Sequence, residues 1–354
     1  MKRKYPPQPE DTPQPEDTPQ RRRKNTIVRE IAASQLASGK NRNVSPDNLT
    51  DIISGYLGEG LFQEDSAAVL TEHTDSVFSV CAIGDDLLAS GSQDNTIRIW
   101  DLSQGGKCVQ TLTGHTLPVQ SVCAIGDGRL ASGSIDRTIR IWDLSKGGKC
   151  VQKLTGHTRG VTSVCALCDG RLASGSYDNT IRIWDLSKGG KCVQRLTGHT
   201  LPVQSVCAIG DGLLASGSED KTIKIWNLKK GGKCVVHTLT GHISTVYSVC
   251  PLGHGRLASG SRDKTIRIWD LKKGGECVQT LTGHTLDVYS VCVLGDGRLA
   301  SGSFDRTICI WDLSKGGEFV QTLTGHTSDV ISVCALGEEQ LASGSLDKTV
   351  RIWW

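Results

Sequence analysis

The chain has 354 residues, of which 37% are hydrophobic and 22% charged, with a formal net charge of +3 at pH 7. This composition is ordinary for a soluble protein, and the 41 glycines suit a fold with many tight turns. No apolar run approaches the roughly 18 residues of a membrane span, and no hydrophobic stretch follows the basic N-terminus, so we expect neither a transmembrane helix nor a secretory signal.

Residues 1–25 are predicted to be a disordered tail. Residues 6–19 form a short tandem repeat that is too polar and too rich in Pro to fold. The tail holds seven Lys or Arg against four acidic residues, which accounts for the whole net charge. Its basic clusters at 2–4 and 21–24 leave two interpretations open, a solvated tail and a nuclear-import signal. We expect a cytoplasmic protein, with nuclear import as the alternative.

Residues 26–65 are predicted to form a short helical segment. The stretch 45–58 has the pattern of an amphipathic helix, because Ser45 can cap its start, Pro46 suits its first turn and Gly58 suits its end. Its apolar face consists of Leu49, Ile52, Ile53, Tyr56 and Leu57. A weaker pattern predicts a second helix over 26–38. We expect these helices to pack on the domain that follows.

From residue 73 onward the sequence repeats seven times, with a period of 42 residues and one step of 43. Each unit opens on a His and places a Trp 27 residues later. The pairs are His73/Trp100, His115/Trp142, His157/Trp184, His199/Trp226, His242/Trp269, His284/Trp311 and His326/Trp353. The predicted units are 73–114, 115–156, 157–198, 199–241, 242–283, 284–325 and 326–354. Such self-similarity is typical of repeat architectures.

Each unit contains four short apolar runs separated by Gly, Asp or Asn turns. In the second unit these runs are 119–124, 130–134, 138–142 and 150–154. None is long enough for a helix, so each unit predicts four antiparallel strands. The predicted fold class is all-β.

These units resemble the WD40 family, whose signature is a Gly-His near the start of each repeat and a Trp-Asp near its end. The match covers about 66–354, and it departs from the signature only at Glu72, Asn227 and Trp354. The resemblance implies a seven-bladed β-propeller with four-stranded blades around a central channel.

The last unit stops after its third predicted strand. Residues 66–71 align with 108–113, the fourth strand of the first unit. We therefore expect 66–71 to complete the last unit, which would join the two ends of the 66–354 propeller and remove exposed sheet edges.

A Ser, a His and an Asp recur in all seven units, and these are the residue types of a hydrolase triad. The family resemblance implies that they instead form, with the Trp, a buried hydrogen-bonded tetrad inside each blade. Two of these tetrads are His115, Ser132, Asp136 and Trp142, and His157, Ser174, Asp178 and Trp184. An active site is single, so seven copies favour a scaffold. We expect no enzymatic activity, no cofactor and no small-molecule substrate.

Twelve of the fourteen cysteines recur at two positions of the repeat, one eight residues after the His and one in the fourth strand. Phe319 takes the fourth-strand position in the sixth unit, and only Cys168 and Cys309 fall off the pattern. We expect both positions to be small buried apolar sites in a reducing compartment. The cysteine spacing does not match a zinc site, so no metal is expected.

Function is predicted to lie where the units differ. Variation is concentrated in the residue before the turn Asp and in the second, third and fifth residues after the His, positions that gather on one face of WD40-like propellers. The predicted partner-binding residues are Phe78, Gln93, Ile135, Arg159, Tyr177, Glu219, Tyr247, Arg262, Tyr289, Phe304, Ile331 and Leu346. Clustered aromatic side chains with Arg are typical of protein-binding hot spots. We therefore predict a scaffold or recognition module for protein or peptide partners.

Several alternatives stay open. The variation can be drift at exposed turns, and Arg159 with Arg262 leaves phosphopeptide recognition possible. The opposite face mixes Lys with Asp, so we do not expect nucleic-acid binding. We also expect no membrane binding and a monomeric propeller. Residues 46–57 resemble the opening of an F-box, the helical module that ties WD40 substrate receptors to ubiquitin ligases. A substrate adaptor of a ubiquitin ligase is therefore the alternative function.

Overall fold

The structure, a computed structural model, describes residues 68–353 except 85, 231–234 and 338–339. The predicted tail, the helices over 26–38 and 45–58 and the F-box-like segment 46–57 lie outside the described residues. Within the described part, no helix is long and apolar enough to cross a membrane.

Twenty-eight strands in these residues form seven four-stranded antiparallel sheets, which are the blades. Blade 1 contains β2 (Val77–Ile83), β3 (Leu87–Ser92), β4 (Ile97–Asp101) and β5 (Lys107–Leu112). Blade 2 contains β6 (Val119–Gly126), β7 (Arg129–Ser134), β8 (Thr138–Asp143) and β9 (Lys149–Thr155). Blade 3 contains β10 (Val161–Ala166), β11 (Arg171–Ser176), β12 (Ile181–Asp185) and β13 (Lys191–Leu196). Blade 4 contains β14 (Val203–Gly210), β15 (Leu213–Ser218), β16 (Ile223–Asn227) and β17 (Val235–Leu239).

The remaining blades repeat this order. Blade 5 contains β18 (Val246–Gly253), β19 (Arg256–Ser261), β20 (Ile266–Asp270) and β21 (Glu276–Leu281). Blade 6 contains β22 (Val288–Val293), β23 (Leu299–Ser303), β24 (Ile308–Asp312) and β25 (Glu318–Leu323). Blade 7 contains β26 (Val330–Leu336), β27 (Gln340–Ser345), β28 (Val350–Trp353) and β1 (Ala68–Leu70). Short 3-10 turns cover Leu144–Lys146, Leu186–Lys188, Leu228–Lys230 and Leu271–Lys273.

The seven blades form a closed ring. The first strand of each blade contacts the first strands of both neighbouring blades, and β2 contacts β26 in the same way. In blade 7, β1 pairs with β28 so that Leu70 lies opposite Val350 and Ala68 opposite Ile352. The outermost strand of the last blade therefore comes from the start of the described chain.

The hydrophobic core lies between blades. One cluster, for example, joins Ile181 and Ile183 of blade 3 to Val203 and Trp226 of blade 4. Close approach of the sheets depends on a glycine in the second strand, because a Cβ added at Gly175 would lie 2.8 Å from Val203 Cγ1. Each blade thus buries its apolar face only by packing on its neighbour, as expected for a repeat whose single unit has no core of its own.

The two repeated cysteine positions have different surroundings. Burial raises the pKa of the thiol eight residues after each His, as at Cys81 and Cys292. The Cys81 sulfur also accepts the backbone N–H of Ala124 in the next blade at 3.3 Å. At the fourth-strand position the described cysteines, such as Cys108 and Cys150, are half-buried and pack against the clusters between blades, whereas Phe319 is 49% exposed. The prediction of a buried apolar site therefore holds there only in part, because the fourth strand is the outer strand of its sheet and its inner face is incompletely covered.

Candidate functional site

A hydrogen-bonded tetrad lies inside every blade. In blade 3, His157 Nδ1 is 2.8 Å from Asp178 Oδ2, and His157 Nε2 is 2.8 Å from Ser174 Oγ. Trp184 Nε1 donates to the same Ser174 Oγ at 2.8 Å. In the other six blades the three distances lie between 2.7 and 2.9 Å. The tetrad thus links the loop before the first strand with the second and third strands.

The tetrad Asp also shapes the turn between the second and third strands. Asp178 Oδ1 accepts the backbone N–H and the hydroxyl of Thr180 at 3.0 and 2.6 Å, and Oδ2 accepts the N–H of Thr158 at 3.0 Å. The next residue, Asn179, has a left-handed φ of 65°. Burial alone would raise the pKa of Asp178, but the hydrogen bonds from His157 and Thr180 outweigh it and hold the pKa well below its usual range.

The variable positions of each unit meet at one end of its blade. The residue before the tetrad Asp donates its backbone N–H to the carbonyl of the third residue after the His, as Tyr177 does to Gly160 at 3.0 Å. The same bond recurs in all seven blades. We call the surface formed by the twelve predicted partner-binding residues the variable face.

Neighbouring blades also touch along the variable face. A Cβ added at Gly160 would lie 3.0 Å from Ile135 Cδ1 of blade 2 and 3.3 Å from Tyr177 Cδ2 of blade 3. Ser76 Oγ of blade 1 is 3.5 Å from the carbonyl oxygen of Leu346 in blade 7. Gln93, Arg159 and Arg262 are exposed on this face, whereas the other nine predicted residues are half-buried.

Three of the predicted aromatic residues form one stack, which we call the aromatic cluster. The ring of Tyr247 in blade 5 lies 4.0 Å from that of Tyr289 in blade 6, with an interplanar angle of 20°. Phe304 stacks on Tyr289 at 4.4 Å and 12°. Burial and the neighbouring phenol of Tyr247 raise the pKa of Tyr289, so its hydroxyl stays protonated. Phe78 and Tyr177 were also predicted, but among the described residues they lie outside this stack.

Two carboxylates, Glu219 and Asp287, lie near Tyr247 of the aromatic cluster. Glu219 accepts the side-chain amide of Gln204 at 2.8 Å, and Asp287 lies 3.6 Å from Arg262 Nε. Burial raises the pKa of Asp287 and of Asp329, which also repel each other. Arg262 therefore already has an acidic partner, and the face does not offer the compact Arg cluster that a phosphate needs.

Four exposed aliphatic residues also belong to this end of the molecule but were not among the twelve predicted partner-binding residues. They lie in the loops just after the tetrad His and are Leu117 at 45%, Leu201 at 46%, Ile243 at 76% and Leu286 at 45% exposure. Three of them occupy the second position after the His, which was predicted to vary between units. The sequence signal was an aliphatic residue in an otherwise polar loop. Exposed aliphatic side chains at the same end of the blades as the variable positions enlarge the apolar part of that surface.

The family model described as "WD domain, G-beta repeat" matches residues 65–101, 106–143, 148–185, 190–227, 233–270, 275–312 and 317–353. These ranges cover more than half of the chain, and each ends at the third strand of a blade. The chain belongs to the WD40 family. The predicted seven-bladed WD40 propeller is therefore confirmed.

Two similar proteins can be named for this WD40 chain. The crystal structure of the WD40 β-propeller domain of Doa1 superposes with a TM-score of 0.72 at 29% identity, over 82% of this chain and 97% of that domain. Cell division control protein 4 of Candida albicans is 39% identical over 66 residues. That match covers 19% of this chain and 9% of the Candida protein.

The WD40 tetrads do not offer an accessible nucleophile. Ser174 has no exposed surface, and its hydroxyl oxygen is already in contact with His157 and Trp184. A substrate could reach this hydroxyl only if the blade opened. Among the described residues, no three His, Cys, Asp or Glu side chains are placed to hold a metal ion. The tetrads therefore serve to fix the strands, because a fully satisfied buried polar network specifies one packing.

The tetrads make the stability of the WD40 propeller sensitive to acid. All seven tetrad Asp residues have a folded pKa below the unfolded value of about 3.9. Unfolding therefore takes up protons at low pH, so their contribution is present above about pH 4 and is lost as the pH falls further. We expect the melting temperature to fall steeply between about pH 4 and pH 2.5. Asp178→Asn removes one of the seven carboxylates, so the melting temperature of this variant should fall less steeply with decreasing pH. A melting temperature that stays constant below pH 4 would contradict the prediction.

Proposed function

We propose that this WD40 propeller is a non-enzymatic interaction module that binds a protein or peptide partner through its variable face. The observation that carries the proposal is the aromatic cluster of Tyr247, Tyr289 and Phe304. Two of its rings lie on adjacent blades, so the stack spans the seam between repeats whose strands are otherwise nearly identical. Aromatic side chains with apolar neighbours supply most of the binding energy in protein interfaces.

The charges around the aromatic cluster favour a partner with a basic side chain. Glu219 and Asp287 lie near the Tyr247 hydroxyl, Asp329 lies near Asp287, and burial raises the pKa of Asp287 and of Asp329. Arg262 lies 3.6 Å from Asp287 but its side chain is 62% exposed, so a Lys or Arg of the partner could share this carboxylate with it and contact the aromatic faces at the same time. The exposed residues Leu117, Leu201, Ile243 and Leu286 would then contact apolar side chains that flank the basic residue.

A comparative capture experiment tests the binding face. The full chain is compared with the variant Tyr177→Ala, Tyr247→Ala, Tyr289→Ala and Phe304→Ala. The matched control is Val109→Ala, Val151→Ala and Val193→Ala, which truncates outer-strand residues that are 41–42% exposed away from the face. Circular dichroism and the melting temperature establish that all three proteins are folded.

We expect the face variant to lose its partner and the outer-strand control to keep it. Each hot-spot truncation costs at least about 2 kcal/mol, so the combined loss of affinity should exceed roughly a hundredfold. Replacing the partner's basic residue with Gln should weaken binding to the unchanged chain. If the folded face variant retains every partner, the variation on this face is drift and the proposal fails.

The same experiment tests the second candidate, a substrate adaptor of a ubiquitin ligase, which rests on the F-box resemblance of residues 46–57. An adaptor would capture a ubiquitin-ligase component in addition to its substrate. That component should be retained by the face variant and lost when residues 46–57 are deleted. Capture of no such component by the full chain would rule out the adaptor function.

A further inference from the structure

Blade 6 departs from the other blades at two neighbouring positions. The middle of the third strand holds Arg in five blades and Lys224 in blade 4, but Cys309 in blade 6. The five arginines are Arg98, Arg140, Arg182, Arg267 and Arg351. On the adjacent fourth strand, Phe319 stands where five other blades have Cys. Blade 6 therefore has a thiol in its third strand where each of the other six blades has a cationic side chain.

Elsewhere this Arg covers the tetrad from outside. In blade 2, Arg140 Nη1 lies 3.7 Å from Cys150 Sγ, and its Cζ lies 6.0 Å from the centre of the Trp142 ring. A Cβ added at Gly114 would be 3.2 Å from Arg140 Nη1, so the guanidinium also fills the space beside the Gly-His pair. In blade 6 no guanidinium fills this space. An open pocket of about 380 Å³ lies there instead, lined by Gly283, Asp305, Cys309, Phe319 and four threonines.

The thiol at the base of this pocket contacts the tetrad. Cys309 Sγ is 3.7 Å from His284 Nδ1 and 3.9 Å from Thr322 Oγ1, while His284 Nδ1 is 2.8 Å from Asp305 Oδ2. Burial would lower the pKa of His284, but the carboxylate of Asp305 and the sulfur outweigh it and raise the pKa to about 9. Ser301 Oγ donates its hydrogen to the carbonyl of Cys309 at 3.3 Å, so it has none left to donate to His284. His284 Nε2 therefore donates to Ser301 Oγ, and an imidazole with an N–H at both nitrogens is the charged form.

The other thiols of the chain provide the contrast. The seven thiols of the first strands are half-buried, and desolvation raises their pKa. They have no imidazolium beside them and behave as inert packing. Cys168 is exposed in a turn. The described fourth-strand thiols, such as Cys150, are half-buried beside an Arg guanidinium, which cannot take up a proton. Cys309 is only 4% exposed, but it lines the pocket and lies beside the imidazole of His284, a group that can take up the thiol proton.

We propose that Cys309 is a nucleophilic modification site that forms a covalent bond with small, uncharged electrophiles entering the blade 6 pocket. The sulfur attacks the electrophilic carbon, and the new S–C bond forms as the carbon's bond to its leaving group breaks. The leaving group departs with the bonding electrons, and the thiol proton remains on His284. The adduct then occupies the space that Arg140 occupies in blade 2. The threonine hydroxyls and the Phe319 ring favour small neutral groups over ions.

Site-resolved alkylation of the folded chain tests this proposal. The full chain is treated with limiting iodoacetamide at pH 7, and the rate at each cysteine is read by mass spectrometry of its peptides. Here the leaving group is iodide. We expect Cys309, which is only 4% exposed, to react at least as fast as the exposed Cys168 and about a hundredfold faster than Cys250 and Cys292. If Cys309 reacts as slowly as Cys250 and Cys292, or tenfold more slowly than Cys168, the proposal is overturned.

Two variants connect the reactivity to the pocket. Cys309→Arg restores the residue of five other blades, so it should abolish the adduct in blade 6, leave the other rates unchanged and keep the melting temperature. The paired change Arg267→Cys with Cys277→Phe recreates the same surroundings in blade 5 beside His242 and Asp263. It should create a second fast site, with a rate within about threefold of Cys309. A folded blade 5 variant whose new thiol stays slow would show that the arrangement does not activate the sulfur.

Discussion

Leu70→Asp is expected to destabilise the whole propeller by at least about 3 kcal/mol, whereas Val69→Asp beside it should cost less than about 0.5 kcal/mol. The two residues are adjacent in β1, yet Leu70 is 5% exposed and Val69 is 41% exposed. A charge at Leu70 would be buried without a partner, while a charge at Val69 would stay in water. The pair thus tests the closing strand with the same chemical change on its two faces.

The position of Leu70 explains the size of the effect. It lies opposite Val350 in blade 7, and a Cβ added at Gly106 of blade 1 would overlap its Cδ2 atom. The same contact joins Leu112 to Gly148, one blade further along. Leu70 therefore packs the outer strand of blade 7 against blade 1, and its loss would expose the edge of β28 to pairing with other chains.

Denaturant unfolding followed by fluorescence of the buried Trp residues measures the free-energy change, and light scattering reports aggregation. We expect Leu70→Asp to lower the unfolding midpoint and to scatter light at concentrations where the Val69→Asp protein stays clear. Equal midpoints for the two variants would mean that β1 contributes nothing to the closed ring.

The fold could be predicted from the sequence because the seven repeat units of one chain can be compared with each other. Positions that are the same in all seven units are needed to build a blade, and positions that differ are not. The repeated residues, such as His157, Ser174, Asp178 and Trp184, can therefore be recognised without any other sequence. The alternation of short apolar runs with Gly and Asp turns then leaves only one strand pattern. The hydrogen bonds of the tetrads were implied by the resemblance to the WD40 family, and they recur in every blade because the same residues fall on the same strands in every unit.

The details of the binding face could not be predicted in the same way. The stack of Tyr247, Tyr289 and Phe304 depends on how far one blade is rotated against the next, and this rotation is set by packing over many residues. The exposure of Phe319 depends on how far the neighbouring blade covers an outer strand. The pocket at Cys309 is created by the absence of an Arg side chain. A missing volume becomes visible only when the blades are compared as structures.

Asp178→Ala is expected to cost roughly 3 kcal/mol, the upper end of the range for buried donors left without an acceptor. The substitution removes the partner of His157 Nδ1, of the backbone N–H groups of Thr158 and Thr180, and of the Thr180 hydroxyl. Asp169→Ala is the control in the same blade. Its carboxylate is 52% exposed and pairs with Arg171 at the surface, so its loss should change stability by less than about 0.5 kcal/mol.

The equivalent change in blade 2 separates a scaffold from an active site. Asp136 makes the same contacts with His115 and Thr138 as Asp178 makes in blade 3, so Asp136→Ala should cost the same within about 0.5 kcal/mol. Both values are obtained from denaturant unfolding at pH 7. Binding to the captured partner should survive in each variant as long as the protein is folded, because the variable face keeps its side chains. A single blade whose Asp could be removed without any cost would instead carry a tetrad that is not needed for folding, and that blade would be the place to look for chemistry.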